Sequence, residues 1–183
     1  MCIRDRACIG PSEIDALPKL RFIGVLATGY NVVDIDYARK KGITVCNIPT
    51  YGTASVAQFV FALLLELCHH VGHHSNRVQG DAWAASQDFC FWDYPLIELH
   101  GKTLGIVGCG RIGMETAKLG AAFGMKLLGY DSRPVTTDLP GFAQVSFPEL
   151  LSRSDVVSLH CPLFESNRGM LGEEALALSL IHI

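Results

Sequence analysis

Three glycines at fixed spacing are the most chemically suggestive feature of this 183-residue sequence. Gly108, Gly110 and Gly113 form G-x-G-x-x-G, and Asp131 follows 18 residues after the third. The motif lies between an apolar run, Thr103 to Val107, and a helical pattern, Arg111 to Phe123, which Gly124 ends; Lys126 to Tyr130 is the next apolar run. Glycine is about a tenth of the chain, 18 residues, so the bare spacing is weak evidence; the strand, the helix and the distal acid in register make it a dinucleotide-binding pattern. Gly108 permits the tight turn, Gly110 lets the backbone approach a pyrophosphate with no Cβ in the way, and Gly113 lets helix and strand pack closely. Amide groups around Arg111 and Ile112 then face the phosphates with the positive end of the helix dipole. The Asp131 carboxylate can accept both hydroxyls of the adenosine ribose and would repel the extra phosphate of NADP, so NAD is the expected cofactor. Arg133 could soften that preference, although a solvated turn residue is its plainer reading.

A second cluster, His69, His70, His73 and His74, has the i, i+3 and i, i+4 spacing that a transition metal could use on a helix. Gly72 is expected to break the helix there, and a solvated, imidazole-rich helix end is preferred over a metal site, so no metal is expected. Seven cysteines, widely spaced and without a C-x-x-C pair, read as reduced thiols of a cytoplasmic protein. Net charge is −3, from 15 basic and 18 acidic residues with no basic cluster, which speaks against a nucleic-acid partner. The longest apolar stretch, Phe59 to Leu65, falls far short of the roughly 20 residues of a membrane-spanning helix, so no membrane partner is expected.

The elements that must position these groups read as α/β. Arg21 to Leu26 is a plausible buried strand followed by a turn at Thr28-Gly29. Asp34 can cap a short helix ending in Arg39, Lys40 and Lys41, with Gly42 as its left-handed terminus, and Ile43 to Cys46 is a second strand. This alternation argues for a parallel sheet with helices on its faces. Ser55 and Gln58 have capping-box spacing for a long helix to about Val71, whose middle, FVFALLL, is apolar round most of its circumference. Such a helix belongs at a domain seam or subunit interface, or else is a plain interior helix. Between Gly72 and His100 the periodicity fails while Trp83, Phe89, Phe91, Trp92 and Tyr94 cluster, which suggests a connector packed by aromatics. Ser146 and Glu149, with Pro148 between them, mark a further helix start, and Asp155 to Leu159 a further strand.

The terminal segments, residues 1–6 (MCIRDR) and 178–183 (LSLIHI), fit no neighbouring pattern and look like translated sequencing adapters; the natural reading frame is expected to continue past both ends.

The run from Leu17 through TGYNVVD and YGTASVAQ, then GKTLGIVGCGRIGMETAKLGAAFGMKLLGYD and DVVSLHCPLFESNRGML, resembles the D-isomer-specific 2-hydroxyacid dehydrogenases over about residues 12–177. The likeness is nearest to their glycerate dehydrogenase and hydroxypyruvate reductase branch. It implies an incomplete Rossmann-type NAD-binding domain plus part of a flavodoxin-like substrate domain: residues 7–52 partial substrate domain, 53–98 linking helix and connector, 99–177 the first half of the NAD domain. By the same resemblance the parent protein is a homodimer acting on a small 2-hydroxy or 2-keto acid. Thr28 and Gly29 fall at the substrate loop, where backbone N–H groups hold the carboxylate and Thr28 also approaches the nicotinamide; read from the residues alone, they are equally an ordinary strand-end turn. Cys161 and Pro162 match the loop lining the cofactor ribose, although Cys161 alone reads as a small buried residue.

The family's mechanism is hydride transfer with a histidine acid/base, a glutamate partner and an arginine on the carboxylate. All three are expected downstream of this sequence, so no catalytic residue is assigned, His160 does not fill that role, and the chain itself is expected to be inactive. An NAD-sensing module resembling transcriptional co-repressors is the alternative function. A fragment that does not fold alone, with half a sheet and an exposed edge, is a third reading.

Overall fold

The computed structural model describes residues 2–3 and 8–178, so most of the suspected adapter segments, residues 1, 4–6 and 179–183, lies outside the described residues. The chain divides into two compact units, residues 1–52 and 53–183.

In the first unit three parallel strands lie in the order β1 (Cys2–Ile3), β2 (Phe22–Val25) and β3 (Thr44–Asn47), with Phe22 opposite Thr44 and Val25 opposite Asn47. Both longer strands lie within a residue of where the apolar runs place them. The two-residue β1 belongs to a segment set aside in the sequence reading; its backbone pairs with Gly24 and Val25. Helix α1 (Pro11–Asp15) was not anticipated. It starts on a proline, which loses no bond at a helix N-terminus, and Glu13 Oε2 accepts the Gly10 N–H at 2.8 Å. Helix α2 (Ile35–Lys40) begins as expected, with Asp34 Oδ1 accepting the Tyr37 N–H at 2.9 Å, and Gly42 follows at a φ of 70°. Ile9, Ile14, Ile23, Val25, Val33, Ala38 and Ile43 form the core of this unit.

The second unit opens with α3 (Thr53–His69) and α4 (Val71–Gln79), and its sheet is built from β4 (Thr103–Val107), β5 (Lys126–Tyr130), β6 (Phe142–Gln144) and β7 (Val156–Leu159). All pairings are parallel, in the order β6-β5-β4-β7, with Val107 opposite both Tyr130 and Leu159. The two-residue period of β4 sends its side chains to opposite faces. Leu104 and Ile106 pack with Phe61, Leu64, Leu127 and Ala117, the last from α5 (Arg111–Ala122). Val107 packs with Leu128, Leu150 and Leu151, the leucines at 150 and 151 coming from α6 (Phe147–Arg153). Ser146 caps α6 through the Glu149 N–H at 3.4 Å. Two short elements had no periodic signal, β6 and a last helix, α7 (Glu173–Leu178).

Three readings of the region between residues 53 and 100 need correction. The helix starts at Thr53, so Ser55 and Gln58 already lie inside it and form no capping box. It ends at His69, and the break is His70, in the left-handed region at a φ of 47°, not Gly72. Gly72 sits in the first turn of α4, where its N–H donates to Glu66 Oε2 at 3.0 Å, and the His70 ring lies 4.6 Å from that of Tyr94. Residues 71–79 are therefore helical, where irregular structure was expected, because contacts distant in sequence replace the missing apolar period. In the single chain α3 buries one face, through Ala57, Phe61, Leu64 and Cys68, and leaves Phe59, Leu63 and Leu67 more than half exposed.

The histidines pin the connector. The Asp93 carboxylate meets His73 Nε2 at 2.6 Å and accepts from Arg77 Nε at 2.8 Å, while the Asp93 N–H donates to His74 Nε2 at 3.3 Å. The hydrogen bond from His73, with help from Arg77, holds the Asp93 carboxyl below the usual carboxylate range. Among the described residues no three His, Cys, Asp or Glu side chains converge as a metal set, and no single helix is long and apolar enough to cross a membrane.

Leu104 is fully buried between α3, α5 and the sheet. Leu104→Ala is expected to destabilise the second unit by about 2–5 kcal/mol. Urea unfolding followed by the fluorescence of Trp83 and Trp92, both in this unit, measures it.

Candidate functional site

A cavity of about 530 Å³ opens at the carboxyl ends of β4, β5 and β7. In an open parallel sheet this is where ligands bind, because the strand-to-helix turns there expose backbone amides. Gly108, Gly110, Asp131, Cys161 and Pro162 all line it, together with Tyr130, Ser132, Arg133, His160 and Asn167. Arg111, Ile112 and Gly113 form the first turn of α5 directly behind Gly110.

Each glycine in the turn answers a different constraint. Gly108 has a φ of 94°, and a Cβ there would stand 2.6 Å from the Cys161 amide nitrogen, so the turn and the loop after β7 touch backbone to backbone. A Cβ on Gly113 would collide with the Gly108 carbonyl oxygen and meet Ile106 Cγ2, which locks helix α5 close to β4. Around Gly110, by contrast, nothing lies within 4 Å of where a Cβ would be. That open cradle, at the start of a helix whose first amides have no intrahelical acceptor, fits a pyrophosphate group.

Asp131 stands at the end of β5, one residue past Tyr130. Its Oδ2 accepts the Cys109 N–H at 2.9 Å and its Oδ1 accepts the Arg133 N–H at 3.1 Å. Ionised carboxylate oxygens carry spare acceptor capacity beyond these two bonds, so hydroxyl donors can still be met. The residues present therefore fit a dinucleotide: amides for the diphosphate at one side, an oriented acid for a ribose at the other. Burial, with the Asp131 charge adding to it, pushes the Cys109 thiol up to about 11.

The loop after β7 owes its shape to a residue the sequence reading passed over. Asn167 donates through Nδ2 to the Pro162 carbonyl at 2.7 Å and accepts the Phe164 N–H on Oδ1 at 2.7 Å, closing the segment from 162 to 167 on itself. No spacing rule singles out an asparagine in such a loop. His160 lines the same cavity, its Nε2 is 2.9 Å from Ser158 Oγ, and burial lowers its pKa, which keeps the imidazole neutral. Cys161 is half-buried at the cavity wall rather than a fully buried filler. Thr28 and Gly29 belong to the first unit, just past the end of β2, where the Thr28 carbonyl accepts from Asn47 Nδ2 at 2.8 Å.

Comparison with known proteins follows the same lines. Residues 61–180 match the family described as D-isomer specific 2-hydroxyacid dehydrogenase, NAD binding domain. A hydroxypyruvate reductase of Blautia hydrogenotrophica is 55% identical over 169 residues, covering 91% of this chain and 52% of that protein. A glycerate dehydrogenase of Methylorubrum extorquens is 39% identical over 160 residues, covering 87% of this chain and 49% of that one. Among solved structures, a D-lactate dehydrogenase from Aquifex aeolicus complexed with NAD and lactic acid superposes with a TM-score of 0.80 at 37% identity, over 93% of this chain and 50% of that chain. The chain thus spans about half the length of the relatives it matches.

The raised thiol pKa gives this site a chemical signature. At pH 9 an ordinary thiol, with a pKa near 8.5, is mostly thiolate, whereas Cys109, at about 11, stays protonated. Because the thiolate is the nucleophile, iodoacetamide labelling read by peptide mass spectrometry is expected to modify Cys109 more than about tenfold more slowly than exposed Cys8 and Cys46. Equal rates at the three positions would contradict the burial described.

Proposed function

The chain belongs to the D-isomer specific 2-hydroxyacid dehydrogenase family, through that family's NAD-binding domain, and from that premise we propose that it is the cofactor-binding part of an NAD-dependent oxidoreductase interconverting a D-2-hydroxy acid and its 2-keto acid. Glycerate and hydroxypyruvate are the assigned pair, on the strength of the similarity to a hydroxypyruvate reductase and a glycerate dehydrogenase. NAD, when bound, supplies the hydride acceptor in one direction and, reduced, the donor in the other.

The observation that carries this reading is the placement of Asp131 and the open Gly110 cradle on one cavity. In it, Gly108, Gly110, Arg111, Ile112 and Gly113 build the turn and helix start whose amides take the diphosphate. Asp131 accepts the adenosine ribose hydroxyls, and its charge disfavours a 2′-phosphate, so NAD is preferred to NADP. Cys161 and Pro162 form the wall beside the cofactor. Thr28 and Gly29 are assigned to the substrate carboxylate through their backbone amides, with Thr28 also at the nicotinamide side.

His160 is not given an acid/base role. Its Nε2 is already engaged by Ser158, and burial holds it neutral. The chain is accordingly assigned binding without turnover. The exposed apolar stripe of Phe59, Leu63 and Leu67 on α3 supports a homodimeric parent protein, and free cysteines at six described positions suit a cytoplasmic, reducing setting.

Calorimetric titration of the chain with NAD tests the proposal. We expect binding that Gly110→Val abolishes, because its side chain fills the cradle, and that Asp131→Ala weakens by about tenfold, the order expected for hydrogen bonds to a charged group. No heat with NAD, or unchanged binding in both variants, would sink it. With NADH and hydroxypyruvate the chain is expected to show no oxidation at 340 nm; turnover by material free of host enzyme would overturn the assignment of binding alone.

A further inference from the structure

Gln144 stands at the end of β6, an exposed residue on a strand that carried no sequence signal, yet its carboxamide is fully used. Nε2 donates to the Arg133 carbonyl at 2.8 Å and to the Asp131 carbonyl at 3.4 Å, and Oε1 accepts the Val135 N–H at 2.9 Å. Only one orientation of the amide satisfies these three partners, since the flipped group would set its oxygen against two carbonyls and its NH₂ against an N–H. The segment it holds, residues 131–135, contains Pro134 and has no strand or helix of its own. Within it the Arg133 N–H is the one that donates to Asp131 Oδ1. A chain of bonds therefore runs from Gln144 through the Arg133 peptide units to the Asp131 carboxylate, and from that carboxylate to the Cys109 amide in the glycine turn.

We propose that Gln144 is a positioning residue for the adenosine-ribose site, fixing the backbone of residues 131–135 so that the Asp131 carboxylate meets the ribose 2′-hydroxyl. This deepens the cofactor reading above and rests on it. Gln144 does not line the cavity and touches no ligand; its effect passes through Asp131. Because its side chain is solvent-exposed, removing it leaves both cores of the unit intact, and its loss is felt at the ribose and not at the diphosphate.

The test compares ADP with 2′-deoxy-ADP, which share the diphosphate and differ only in the 2′-hydroxyl, one of the two ribose hydroxyls assigned to Asp131. Titration calorimetry is run on the chain itself and on Gln144→Leu, Gln144→Glu, Asp131→Asn and the Gln144→Leu/Asp131→Asn double variant, with circular dichroism and thermal unfolding alongside. The unaltered chain is expected to prefer ADP by about tenfold, the scale of a hydrogen bond to a charged acceptor. Gln144→Leu and Asp131→Asn are each expected to shrink that preference to about twofold, with no further loss in the double variant. Gln144→Glu keeps the acceptor for Val135 but sets an oxygen against two carbonyls, so it is expected to lose the preference as well; it decides the matter should the leucine variant not fold. Equal weakening of both nucleotides in the Gln144 variants, with the preference intact, would overturn the proposal and leave the cofactor site standing. A chain that binds both nucleotides equally, before any substitution, would overturn it together with the role of Asp131. Failure to bind either nucleotide would overturn the cofactor reading itself.

Discussion

The bond from the Cys109 amide to the Asp131 carboxylate is the contact on which the site depends. It joins the ends of two neighbouring parallel strands, β4 and β5, just where Val107 and Tyr130 close their register and the chain leaves the sheet on both sides. Beyond that point the Gly108 N–H still donates to the Tyr130 carbonyl at 2.8 Å, but the next amide, that of Cys109, lies past the ladder and must find another acceptor. The carboxylate does this from one side and orders its own turn through Arg133 from the other. The consequence is a cavity with opposed polarity, a helix start on one side and a fixed negative charge on the other. A dinucleotide has the matching arrangement of diphosphate and ribose.

Close backbone approach is the second constraint, and it explains why the turn tolerates so little chemistry. The β4–α5 turn is squeezed between the loop after β7, at Gly108, and its own helix, at Gly113, while Gly110 alone faces open space. Two of the three glycines are thus required by the protein's own packing, whereas Gly110 leaves its side of the turn open. The same tightness buries Cys109 beside a charge and makes its thiol reluctant to ionise.

The connector shows how polar contacts can order a segment that apolar periodicity does not. Asp93 gathers His73 and Arg77, His74 accepts the Asp93 amide, and Tyr94 packs against His70 and His73. Of the four imidazoles that by spacing alone could suggest a metal, those of His70, His73 and His74 are instead employed in stacking and hydrogen bonding around α4. The left-handed conformation of His70 is what redirects the chain there, and it is held by Glu66 reaching across the break to the Gly72 amide.

Much of this protein was legible in the order of its residues. The apolar runs at 103–107, 126–130 and 155–159, the helix between the first two, the Asp34 and Ser146 caps, and the G-x-G-x-x-G with its distal acid all follow from local rules, because each depends on neighbours a few positions away. Tertiary structure decided the rest. The helix break moved from Gly72 to His70, since a ring contact and a carboxylate from the preceding turn outweigh glycine's own preference. β6 formed from one half-buried and two exposed residues because β5 offered it an edge. Gln144 and Asn167 became organisers of the site's two loops only when folding brought them to carbonyls and amides they could bond. Residue type and spacing encode what a segment can do by itself; which distant polar group completes it is settled only by packing, because a hydrogen bond needs an approach near 3 Å that no linear pattern records.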